Sequence, residues 1–176
     1  MKSNKSAVRY ATALLELAIE HNNVELIEKD ILQLIQTAEE VHDFQVFLSS
    51  PLIITDKKIA ILKQIFKDFN PTTLDFLSLV ANNGRESIMI VIANQFISLL
   101  KAHRGIVPIT IISAQQLEES TKQSILSKIS ATISGTPEIT EQIDAELIGG
   151  FIVRMGDHQI DASVANQLKR LKQQFV

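Results

Sequence analysis

Cysteine and tryptophan are absent from the 176 residues, and tyrosine occurs once. Without thiols the chain has no disulfides, thiolate metal sites, cysteine nucleophiles or redox pairs, and a reducing compartment suits it. Positive charge is also short: 17 Lys and Arg stand against 20 Asp and Glu, for a net charge of −3. A surface that neutralises nucleic-acid phosphates needs clustered Lys and Arg, so no nucleic-acid partner is expected. The apolar stretch from Ile88 to Leu100 is broken by Asn94, Gln95 and Ser98. A bilayer span takes about 20 predominantly apolar residues, so this is a buried helix and not an anchor. The first residues, Met1 to Ser6, contain neither an apolar export core nor an Arg-rich presequence, so no targeting signal is expected and the formal sequon at Asn4 is without meaning.

The chain does carry 45% hydrophobic residues, too many for disorder. Its length suits one ordinary domain or two small ones. Up to Gly105 the apolar spacing is helical. Asn23 is placed to cap a helix striped by Val24, Ile27, Ile31, Leu34 and Ala38, and Phe44 to Leu48 forms a shorter segment that ends at Ser49-Ser50-Pro51. Asp56 opens a helix expected over Lys57 to Phe69. Asn70-Pro71 is a cap followed by proline at the first helical position, and the helix from Thr72 stops at Gly84. A sixth helix, Glu86 to His103, stops at Gly105. Short loops between these helices predict a six-helix bundle.

Beyond Gly105 the period changes. Ile106 to Ile112 is β-branched with Pro108 near its start, which predicts a strand beginning at a sheet edge. Ser113 and Gln116 suggest a capping box before a helix carrying Leu117, Ile125, Ile129 and Ile133, ended by Ser134-Gly135-Thr136-Pro137. Strands follow near Ile139 to Ile143, Phe151 to Met155 and Gln159-Ile160, then a last helix striped by Val164, Leu168, Leu171 and Phe175. The expected fold class is α + α/β: an N-terminal six-helix bundle over residues 1–105 and a small C-terminal α/β domain over 106–176. The first part has 11 basic and 12 acidic residues and the second 6 and 8, so neither is a charged tail.

Catalytic chemistry is not visible. His21, His42, His103 and His158 are far apart, with no second histidine one helical turn away to complete a metal pair, and they read as solvated groups. Adjacent acids such as Glu39-Glu40 and Glu118-Glu119 point apart on a helix. The phosphate-loop, dinucleotide and nucleophile-elbow motifs are missing. Gly149, Gly150 and Gly156 could approach an anion, but strand residues follow the glycine pair where an anion site needs a helix, so a bulge or close packing is the stronger reading. Gly156-Asp157 fits a tight turn, and Asp161 or Ser163 can cap the last helix. No metal, cofactor or catalytic residue is expected.

The first helix carries an apolar arc of about 200°, wider than one core contact needs. It either lies deep in the bundle or gives one face to the core and another to a partner helix. The row Ala7, Ala11 and Ala18 favours close helix approach, and Tyr10 is an amphipathic anchor; Arg9, Glu16 and Glu20 take the opposite side.

These blocks resemble the delta subunit of F-type ATP synthases, the oligomycin-sensitivity-conferring protein of mitochondria. The resemblance lies in Arg9-Tyr10-Ala11 with Leu14, Leu48 to Pro51 with Lys57-Lys58, Asn83-Gly84-Arg85, Ser113-Ala114, and Gly149 to Asp157 running into Ile160 to Val164. Many relatives have a proline between the arginine and tyrosine that are adjacent here as Arg9 and Tyr10. The resemblance implies a non-catalytic connector whose helical domain binds the N-terminal segments of the alpha subunits. Its C-terminal domain would join them to the C-terminal ends of the peripheral-stalk b subunits. The head is then held against rotor torque during proton-driven ATP synthesis. It also implies a place on the cytoplasmic face of a bacterial inner membrane, reached only through the complex.

On that basis the alpha-facing surface is expected on helices one and five. Helix five has a stripe of Leu74, Leu77, Val80 and Ala81, with Phe76 and Leu79 to spare on other sides. The candidates are Tyr10, Ala11, Ala13, Leu14, Leu77 and Val80, for which core packing is the competing role. Gly149, Gly150, Gly156, Asp157, Asp161 and Ser163 are expected to be structural. The last helix either meets the b subunit or merely covers the sheet. An alternative of another class is a helical RNA-binding or antitermination-type module, which would lack its basic stripe and leave the α/β part unexplained.

Overall fold

Helix-forming periodicity and breaker residues set most of the element ends in the computed structural model, which describes residues 5–115, 119–130, 135–156 and 158–174. The chain divides into two compact units, Met1–Leu100 and Lys101–Val176. The first contains α1 (Lys5–Glu20), α2 (Val24–Glu40), α3 (His42–Ser49), α4 (Thr55–Ile65), α5 (Pro71–Asn82) and, after a 3-10 turn at Glu86–Ile88, most of α6 (Met89–His103). One apolar core joins them, with Leu14, Ile27, Leu34, Leu77, Ile92 and Phe96 among its fully buried side chains.

Two buried polar links supplement that core. Asp30 Oδ2 on α2 accepts from the backbone N–H of Asn70 at 2.8 Å and from the Thr73 hydroxyl at 2.7 Å, tying α2 to the first turn of α5. Asn70 itself caps α5, its side chain accepting from Thr72 N at 2.9 Å with Pro71 at the first helical position. Lys58 on α4 reaches Glu86 Oε1 at 2.6 Å and the Leu48 carbonyl at 3.1 Å, fastening α4 to the end of α3 and to the 3-10 turn.

Some details differ from expectation. Asn23 precedes α2 but accepts no capping hydrogen bond; its Nδ2 donates to Thr72 Oγ1 at 3.4 Å, so it links α2 to α5 instead. Helix α4 stops at Ile65, short of Phe69. Phe66 leaves the helical region at ψ 38°, which lets its ring stack on Phe69 at 4.5 Å inside the core. The sixth helix begins as the 3-10 turn before α6 takes over.

The second unit is built on a four-stranded sheet: β1 (Ile106–Ser113), β2 (Thr136–Ile143), β3 (Phe151–Met155) and β4 (His158–Asp161), in the order β2-β1-β3-β4. β1 runs parallel to β2 and antiparallel to β3, and β3 runs antiparallel to β4. β1 is therefore interior. Pro108 is accommodated because β3 pairs only with Ile109 to Ser113, so β1 has a single neighbour at the proline. Between β1 and β2 runs α7 (Glu119–Ser130), whose Ile125 is buried with Ile109, Ile111 and Val153 on one face of the sheet. Helix α8 (Val164–Gln174) closes the unit. Ser113, expected in a capping box, is the last residue of β1 and its hydroxyl donates to the Gln115 carbonyl at 2.8 Å; its expected partner Gln116, with Leu117, Ile133, Ser134 and Phe175, lies outside the described residues.

Candidate functional site

The wide apolar arc of α1 serves two sides. Ala7, Ala11, Leu14, Leu15 and Ala18 are buried in the core, while Ala13, Leu17 and Ile19 are exposed and Tyr10 is half-buried. The small alanines let the helix sit close to its neighbours, and the remaining face borders a groove of about 380 Å³ lined by Ser6, Arg9, Tyr10, Ala13, Leu79 and Arg85. Tyr10, one of the lining residues, meets the Phe76 ring of α5 edge-on, with centroids 6.4 Å apart and planes at 73°. Leu79 adds an apolar surface that is 52% exposed.

Arg85 arrives by a defined turn. Gly84, at φ 63°, donates its N–H to the Ala81 carbonyl and Arg85 donates to Val80, the paired bonds of a Schellman stop. A glycine is needed there because a side chain disfavours that φ. The stop holds Arg85 at the end of α5 beside the groove.

Of the six residues expected on the partner-facing surface, the structure brings Tyr10 and Ala13 to the groove. Ala11, Leu14, Leu77 and Val80 are at most 1% exposed and belong to the core. They cannot touch a partner in this fold; their burial sets the spacing of α1 and α5. Arg9, which helical spacing puts on the side away from the apolar arc, also lines the groove. Arg85 and Leu79 are groove residues that sequence reasoning does not select, although the Asn83-Gly84-Arg85 block and the spare apolar group at Leu79 are both visible signals.

In the second unit Gly149 and Gly150 lie against the segment that leads into α8. Gly150 has φ 79°, and a Cβ there would lie 2.5 Å from the Ala162 carbonyl oxygen. A Cβ on Gly149 faces Val164 at 3.2 Å, and Gly149 O accepts from Val164 N at 3.0 Å. The glycine pair thus abuts the entry to α8. Ser163 caps α8, its hydroxyl oxygen accepting from Asn166 N at 3.3 Å, and Asp161 Oδ1 accepts from Ser163 N at 2.9 Å. Hydrogen bonds from the Ser163 hydroxyl and backbone hold the Asp161 carboxyl below its ordinary value, against a smaller opposing effect of burial and with help from the Arg170 charge. Gly156 turns at φ 55° between β3 and β4; Asp157 lies outside the described residues. Along α8, Val164, Leu168 and Leu171 are 38, 59 and 50% exposed.

Residues 7–175 match the family described as ATP synthase delta (OSCP) subunit. The chain belongs to that family. "ATP synthase subunit delta" of Christiangramia forsetii is 32% identical over 99% of this chain and 95% of its own length, and that of Carboxydothermus hydrogenoformans is 35% identical over 98% and 97%. A chain of the Toxoplasma gondii mitochondrial ATP synthase shares the fold, with a TM-score of 0.75 at 21% identity over 96% of both chains. In this delta (OSCP) family chain, the blocks that carry the resemblance fall largely at joints. Asn83-Gly84-Arg85 ends α5, Lys58 anchors α4, and Gly149 to Val164 packs the glycine pair against the start of α8.

Proposed function

We propose that the chain is the stator connector of an F-type ATP synthase and has no catalytic role. The helical unit, as a six-helix bundle, takes the N-terminal segments of the alpha subunits in the groove between α1 and α5. The C-terminal unit takes the C-terminal end of the peripheral-stalk b subunits on the apolar stripe of α8. The observation that carries this reading is that each unit presents an amphipathic face, the Tyr10–Leu79 groove in the first and the exposed Val164, Leu168 and Leu171 in the second. The division of labour follows the sequence boundary at Gly105, with residues 1–105 for the head and 106–176 for the stalk.

Holding a head still against a turning rotor calls for stiff contacts that dissociate slowly. Packed apolar helix faces provide both, because such contacts act mainly on the off-rate. Family membership supports a place at the cytoplasmic face of a bacterial inner membrane, with the membrane reached through the complex. Among the described residues no helix is long and apolar enough to cross a membrane.

The test uses the full chain, a synthetic peptide of the alpha-subunit N-terminal segment, and the soluble portion of the b subunit together with the catalytic head. Leu79→Asp should remove peptide binding and leave stalk coupling; Leu168→Asp with Leu171→Asp should do the reverse. Binding of both partners by both variants at wild-type strength would refute the reading.

A further inference from the structure

The groove also carries a charge pattern that apolar docking alone does not use. Arg9 stands on α1 and Arg85 at the end of α5, both exposed, and among the described residues no acidic side chain lines the space they border. Neither arginine has a carboxylate in ion-pair contact among the described residues, whereas Lys58, Lys101 and Lys122 are each paired with a glutamate. In a chain whose acids outnumber its bases, two such guanidinium groups on the banks of one groove make a local positive site. A guanidinium presents a planar fork of donors that fits a carboxylate, and it is charged at every working pH.

We propose that the groove selects an amphipathic helix bearing a carboxylate beside its apolar anchor, and that Arg9 and Arg85 are the specificity-determining residues that grip that carboxylate. The inference rests on the groove being the alpha-segment docking site and adds what that segment must carry. The apolar anchor packs on Tyr10, Ala13 and Leu79; the carboxylate fixes which way along the groove the helix lies. Rim charges of this kind contribute modestly to affinity and strongly to salt dependence and partner choice.

The experiment measures binding of the full chain to the alpha N-terminal peptide and to the same peptide with its acidic side chains replaced by their amides. Arg9→Gln and Arg85→Gln should each weaken the native peptide about three- to fivefold at low salt, as partly exposed ion pairs do. The loss should shrink at high salt and vanish with the amide peptide. Arginine variants that bind both peptides like the wild type would overturn the proposal. Leu79→Asp separates the two levels of argument. Lost binding at Leu79 with indifference at the arginines defeats the carboxylate grip alone, while undiminished binding at all three defeats the docking site and the grip together.

Discussion

Lys58 and Glu86, 28 residues apart in sequence, form an ion pair of 2.6 Å in which the lysine is almost wholly buried and also donates to the Leu48 carbonyl. The pair closes a polar link among the end of α3, the body of α4 and the turn that opens α6. Removing the lysine would strand a carboxylate that has little water to turn to, since the second Glu86 oxygen is buried without a partner among the described residues. Lys58→Met should therefore lower the unfolding free energy by about 3 kcal/mol, the scale for breaking a buried pair. Denaturant unfolding at neutral pH measures it.

Acid should undo the same link. Burial pushes the Glu86 carboxyl upward, but the Lys58 hydrogen bond, the backbone hydrogen bond and the Lys58 charge together hold it below its ordinary value of 4.5. A depressed carboxyl contributes stability that is fully present above the unfolded-state value and is lost as pH falls through the folded-state value. Wild type should thus lose stability below about pH 4.5, and Glu86→Gln should flatten that part of the profile. An unchanged acid limb in the variant would assign the sensitivity elsewhere.

Core and contact residues of α1 and α5 should separate by their phenotypes. Leu14→Ala, in the core, should cost about 2–5 kcal/mol of stability. Leu79→Asp, half exposed, should leave the thermal midpoint within a few degrees while binding of the alpha peptide is lost. Paired thermal melts and peptide titrations distinguish the two.

The distinction between those two classes is not legible in the sequence. Periodicity puts Leu14, Leu77 and Val80 on apolar stripes and Leu79 off them, but a stripe reads the same whether it meets the core or a partner; only the packing of the helices decides which side is inside. Helix ends are clearer where a residue has one dominant use, as at Asn70-Pro71, Gly84 and Gly105. They are less clear at α4, since Phe66 and Phe69 keep helical spacing while the chain between them turns. Asp30 and Lys58 leave no trace in the pattern, because a charged residue on an apolar stripe looks like an interruption until its partner from a distant helix is placed against it.

The joint between β3 and α8 should be intolerant of added bulk. Gly150→Ala meets both a disfavoured φ and the Ala162 carbonyl, and should cost about 1–3 kcal/mol. Ser163→Ala, which removes the α8 cap, should cost about 1 kcal/mol. Amide exchange should locate both losses at α8 and β4, with the helical unit unaffected.

Strand β2 lies at the border of its sheet with one side of its backbone unpaired, and nearly all its side chains face solvent. Such a border invites another chain to add a strand. Pro137, Glu138 and Glu141 discourage this: the proline lacks a donor and the two carboxylates would be brought against an incoming chain. The lysines at 101 and 122 further engage those glutamates from within the same unit. If the proposed stalk contact is made on this unit, that edge would disfavour sheet extension and leave side-by-side helix packing on α8, which spares the hydrogen-bond ladder beneath it.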